Sequence, residues 1–180
     1  ELRKAGVKEV CPLCRAKLPA SKEKMFADGC TIFLPIKNRA EQGVDGPWRA
    51  LSRGEQTKMD EVVRLWEGAA EQGHVTAQYN LGLTYYHGNG VEQDYSKAMK
   101  WYKRAAEQED ATALANLGLM YGQGQGVKQD YSKAAEWLEK AAKQGDASAQ
   151  FNLGVLYGQG QGVKQDYSKA REWIEKAAKQ

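Results

Sequence analysis

No proline and no cysteine occurs after Pro47 in this 180-residue chain. Proline disrupts helix interiors, so the 133 residues that follow, rich in Ala, Lys, Glu and Gln, predict helix. Long apolar runs are missing as well. The longest uncharged stretches, such as 111–127, are interrupted by Gly and Gln, which excludes a membrane span. No apolar run follows a basic start, so no secretory signal is read, and Glu1 in place of Met is expected of a fragment or a processed product. Charge of one sign is also lacking. Lys and Arg total 26 against 23 Asp and Glu, a net +3, which excludes a strongly basic nucleic-acid binder and an acidic tail. Three cysteines, an odd count with two in a C-x-x-C, argue against a disulfide framework. A reducing setting, cytoplasmic or otherwise intracellular, is expected. What charge there is falls unevenly. Residues 1–54 carry 11 basic and 6 acidic side chains, residues 55–180 carry 15 and 17, and the chain divides into two regions.

The second region repeats. Leu81, Leu117 and Leu153 are 36 apart, as are Tyr85, Tyr121 and Tyr157, then Asp94, Asp130 and Asp166. Residues 121–144 and 157–180 differ only at Ala135/Arg171 and Leu138/Ile174. A fixed period of this size means stacked units, none able to bury its apolar face alone. Each unit reads as two helices. Ala149, Leu153 and Tyr157 share one face of the first, from about 147 to 157, and Gly158, Gly160 and Gly162 end it. Asp166 caps the second, over 167–179, with Ala170, Trp173 and Ala177 inward. Asp146, Asp110 and His74 cap the first helices. Trp137 is expected in the core, at a cost of roughly 3–5 kcal/mol if truncated to Ala. A leading helix over 57–72 precedes the pairs, making seven helices, and its own partner within 37–52 is broken by Asp45 and Pro47.

The units, with A-x-x-N-L-G-x-x-Y, G-x-G-V, D-Y, A, W and A-A in register, resemble the Sel-1-like repeat, a 36-residue relative of the tetratricopeptide repeat. The resemblance covers residues 73 to 180 and implies an all-α, right-handed superhelical solenoid that scaffolds protein complexes. Repeats are expected at 73–108, 109–144 and 145–180, with Glu109 replacing the expected Gly of the middle unit. Some relatives carry a disulfide in every repeat and a proposed β-lactam-binding activity; the absence of repeat cysteines here removes that subclass.

Cys11-Pro12-Leu13-Cys14-Arg15 is the other chemical signal. Two thiolates with two residues between them supply half of a tetrahedral zinc site. The motif resembles the last ligand pair of a RING finger. That resemblance implies Cys11 and Cys14 as zinc ligands, with Pro12 and Arg15 contacting the ubiquitin-conjugating enzyme. The other six ligands would then lie upstream of Glu1. No cofactor is expected in the 180 residues themselves, and zinc only with a full RING upstream. Incidental reduced thiols and other zinc or redox roles stay open. Residues 1–25 are thus a partial RING-like knuckle and 26–56 an irregular linker or degenerate repeat. Cys30, in the apolar run GCTIFLPI, is expected as a buried inert thiol in a strand or coil.

No catalytic set stands out. GQGQG at 122–126 and 158–162 has neither the spacing nor the preceding strand of a phosphate loop. His87 has no second catalytic partner and reads as exposed. The main expectation is a protein-binding scaffold or adaptor. Its alternative is the substrate-receptor part of a RING-type ubiquitin ligase.

By resemblance to tetratricopeptide repeats, the first helices line a concave face. Its first set is Thr76, Tyr79, Leu83, Tyr86 and His87. The second is Thr112, Ala115, Leu119, Gly122 and Gln123, and the third Ser148, Phe151, Val155, Gly158 and Gln159. Spacing of i, i+3, i+7 and i+10 puts each set on one helical face independently of the resemblance. None is a Lys or Arg, so the expected partners are proteins or peptides presenting an apolar surface, with no nucleic acid and no membrane.

Overall fold

Asp94, Asp110, Asp130, Asp146 and Asp166 each accept a backbone N–H three residues ahead, at 2.7 to 3.0 Å, and His74 does so through Nδ1 at 3.2 Å. These caps satisfy donors that a helix start leaves orphaned, so six helix starts are set by side chains within three residues of them. The computed structural model describes residues 20–41, 48 and 51–180. Among them run eight helices: α1 (Lys22–Glu41), α2 (Arg53–Glu71), α3 (Val75–His87), α4 (Tyr95–Ala106), α5 (Ala111–Gln123), α6 (Tyr131–Lys143), α7 (Ala147–Gln159) and α8 (Tyr167–Ala178). Cys11, Pro12, Cys14 and Arg15 lie outside the described residues. No strand interrupts 73–180.

The helices stack in pairs. Each of α3, α5 and α7 packs on the second helix of its own unit and on the one before it. Close approach within a unit depends on Gly82, Gly118 and Gly154, where a Cβ would strike Tyr102, Leu138 and Ile174. Contact between units depends on Gly126 and Gly162, at φ +69° and +70°, whose Cβ atoms would run into the main chain of Tyr95 and Tyr131. Gln78 and Gln150 donate from Nε2 to the carbonyls of Ala70 and Ala142, at 2.9 and 3.1 Å, tying each first helix to the unit before. One buried cluster therefore runs the length of the stack, from Ile36 to Leu156.

Two expectations need correction. The first is the helix count. The partner of α2 is α1, most of which lies before the 37–52 window and which covers much of the supposed irregular segment. α1 runs through Pro35, which is exposed and carries no N–H to bond. An interior proline costs about 3 kcal/mol. The opposite face of the helix offsets it: Ile36 and Ala40 are buried, Phe26 stacks on His74 at 4.4 Å, and Phe33 stacks on Trp48 at 5.7 Å. The GCTIFLPI run is thus helix, and Cys30 is half-buried and free. Burial pushes its thiol pKa up, away from the reactive thiolate.

The second correction concerns Trp137. Leu138, next along α6, takes the core position, and Trp137 is only half-buried with Lys140 Nζ 4.7 Å from its ring centroid. Among the tryptophans at this repeat position only Trp101 of α4 is buried, while Trp137 and Trp173 are half-buried.

Candidate protein-binding face

The first helices of the second and third units touch directly, α5 against α7. Their outward residues form the candidate face. Leu83, Leu119 and Val155 occupy the same repeat position and are all half-buried. One turn earlier stand Tyr79, Ala115 and Phe151, and here the three units diverge. Phe151 is 51% exposed, Ala115 only 4%. Ala115 is therefore not available to a partner: its methyl is too short to rise above the neighbouring helices.

Tyr79 is half-buried beside Tyr102, with ring centroids 5.9 Å apart. Burial is the first cause of its raised pKa, the carboxylate of Asp110 the second, with a hydrogen bond to the Asn116 side chain opposing both. The phenol therefore stays protonated and bridges units one and two. Tyr86 packs edge-on to His87 and Tyr95, at 4.9 and 5.4 Å, and is half core. His87 is exposed, as are Thr76, Thr112, Gln123, Ser148 and Gln159. Gly122 and Gly158 are half-buried, and a Cβ on either would make only ordinary van der Waals contact, 3.6 to 3.7 Å from Ala134 or Ala170.

Sequence reasoning passed over Asn80, Asn116 and Asn152. They are half-buried, one residue after the Tyr79 position and two turns before His87, Gln123 and Gln159. Asn152 donates to the Ser148 carbonyl at 2.8 Å. Their 36-residue recurrence was the available signal, absorbed into the repeat pattern rather than read as polar groups on this face. The face thus offers an apolar row with amides along it. Among the described residues, no three His, Cys, Asp or Glu side chains gather as a metal site requires. No helix there is long and apolar enough to cross a membrane.

The Sel1 repeat pattern matches residues 75–110, 111–146 and 147–180. A Sel1 repeat protein from Oxalobacter formigenes superposes with a TM-score of 0.70 at 32% identity, over 88% of this chain and 58% of that one. c5321, a protective antigen of uropathogenic Escherichia coli strains with an SLR fold, superposes with a TM-score of 0.67 at 38% identity, over 89% of this chain and 33% of that one. HRD3A of Arabidopsis thaliana, an ERAD-associated E3 ubiquitin-protein ligase component, is 43% identical over 51 residues, which are 28% of this chain and 7% of that protein. The chain spans less than two thirds of the length of each.

Proposed function

The chain belongs to the Sel1 repeat family, and from that premise we propose that it is a protein-interaction scaffold whose ligand lies along the first helices. Leu83, Leu119 and Val155, half-exposed in one row and flanked by exposed Phe151, carry the reading. Tyr79, Tyr86, His87, Gln123 and Gln159 edge the same row. A partner covering it gains about 25 cal/mol per Å² of apolar area, before the costs of association. With no Lys or Arg among these positions, the ligand is an amphipathic helix or an apolar extended segment held by its side chains rather than by a terminal carboxylate. The asparagine amides give it hydrogen bonds. A reducing intracellular setting goes with this reading.

The test is fluorescence anisotropy with a labelled, uncharged amphipathic helix of leucine and glutamine. Binding should be nearly independent of salt. Phe151→Ser and Leu119→Ser should each weaken it while helical content is kept. A steep fall with salt, or affinity surviving both substitutions, would sink the reading.

A second reading is the receptor part of a RING-type ubiquitin ligase. The identity to HRD3A favours it, but 51 residues are fewer than two repeat units, so the likeness supports the repeat rather than the ligase. This reading requires C-x(2)-C and C-x-H-x(2)-C in frame upstream of Glu1, and coding sequence without them would count against it. The 180 residues alone, with half a site at Cys11 and Cys14, should hold zinc weakly or not at all.

A further inference from the structure

Second helices repeat their charges as well as their cores, and α4 departs from the pattern. α6 carries Glu136 and Glu139 and α8 carries Glu172 and Glu175 in register; α4 has Lys100 and Lys103 at those positions. One glutamate on each of those helices is paired locally, Glu139 with Lys143 at 2.8 Å and Glu172 with Lys176 at 2.7 Å. α4 contains no acidic residue. Of its four cations, only Lys97 has a carboxylate partner among the described residues, Asp94 at 3.8 Å. Lys100 and Arg104 lie over the Trp101 ring, 5.8 and 4.9 Å from its centroid, which directs both charges along the surface.

The same residues line an open cleft of ≈ 370 Å³. Lys100, Lys103 and Arg104 line it together with Gly126 of the next unit, the largely buried Met99, and Glu107 as its one carboxylate. Cations at i, i+3 and i+4 with no carboxylate salt bridge among the described residues raise the local potential. We propose that this cleft on α4 is a second docking site, for a short acidic peptide segment with one apolar side chain to rest on Met99. It is separate from the first-helix face. A nucleic-acid strand fits less well, because Glu136 and Glu139 on the adjacent α6 repel a phosphate backbone that extends beyond one unit.

The probe is a fluorescein-labelled decapeptide of glutamates with a central leucine, titrated against the 180-residue chain at low and near-physiological salt. Binding should weaken with salt, and a glutamine analogue should not bind. Lys100→Glu with Lys103→Glu installs the residues that α6 and α8 already tolerate, so the helix is kept, and affinity should fall at least about tenfold. The reciprocal change, Glu136→Lys with Glu139→Lys, should add a second site. Phe151→Ser should leave peptide binding intact, which separates this site from the apolar face. Equal binding to the Lys100/Lys103 variant, equal binding of the glutamine peptide, or stronger binding of a single-stranded oligonucleotide of matched charge would overturn the proposal.

Discussion

Residues 121–144 and 157–180 are the same sequence at all but two positions, and they end up in different surroundings. Locally they agree. Asp130 and Asp166 cap in the same way, Gln129 and Gln165 each reach back to the carbonyl of Gly122 or Gly158, and Lys133 and Lys169 each lie over a tyrosine. Burial separates them. Leu138 is 3% exposed and its counterpart Ile174 38%; Tyr167 reaches 72% where Tyr131 is half-buried; Ala142 is buried and Ala178 exposed. α7 and the turn around Gly162 pack on α6, and no described residue packs that way on α8. Helices are thus specified one unit at a time, whereas their cores are specified between units.

The strongest way to break that comparison is a matched pair of truncations. Trp101→Ala should cost about 3–5 kcal/mol, and Trp137→Ala, at a half-exposed ring held partly by Lys140, about 1–2 kcal/mol. Equal shifts in urea midpoint would show that repeat position, not burial, sets the cost. Next comes Leu138→Ala, expected to lose about 2–5 kcal/mol, against Ile174→Ala, expected to lose about 1 kcal/mol. Amide exchange in α6 and α8 would resolve the two, and similar losses would mean that α8 is covered in solution.

Glu109 sharpens the same contrast in the opposite direction. It holds φ +61° where units one and three have Gly73 and Gly145. A left-handed non-glycine residue costs roughly 1–2 kcal/mol, so Glu109→Gly should stabilise the middle unit by about 1 kcal/mol, offset by losing the Gln144 hydrogen bond. A lower thermal midpoint would refute the strain.

The smallest effect separates the α1–α2 pair from the repeats. Glu55 closes a capping box with Ser52 and receives the Arg39 guanidinium from α1, and the Ser52 hydrogen bonds, first among the causes, lower its pKa to about 2. A carboxylate depressed on folding stabilises above its unfolded pKa, ordinarily near 4.5, and loses that contribution as pH falls toward about 2. Amide protection at the start of α2, relative to the intrinsic exchange rate at each pH, should fall across this window. In Glu55→Gln that dependence should vanish, and an unchanged profile would remove Glu55 from the account.

How far the fold was legible follows the range of the physics. Helix starts were legible because Asp–backbone caps span three residues, and turns because glycine is needed at a left-handed φ. The one departure from that turn pattern, Glu109 where the other units place glycine, was visible as well. α1 was not legible. Pro35 and the bulky run before it argue locally against helix, and only burial of Ile36 and Ala40 under α2 overrules them. Within the candidate face, sequence spacing placed fifteen residues on common helical faces, but could not tell Phe151, standing clear, from Ala115, sunk between helices.

The period, the caps, the turns and the charge pattern that singles out α4 were all written in the amino-acid order, since each depends on residues a few positions apart. The eighth helix, the choice between Trp101 and Trp137 as core, and the apolar side chains left open to a partner emerged only when the helices stacked. Those outcomes depend on what the neighbouring helix covers, and apolar burial is set by the whole stack rather than by any residue within it.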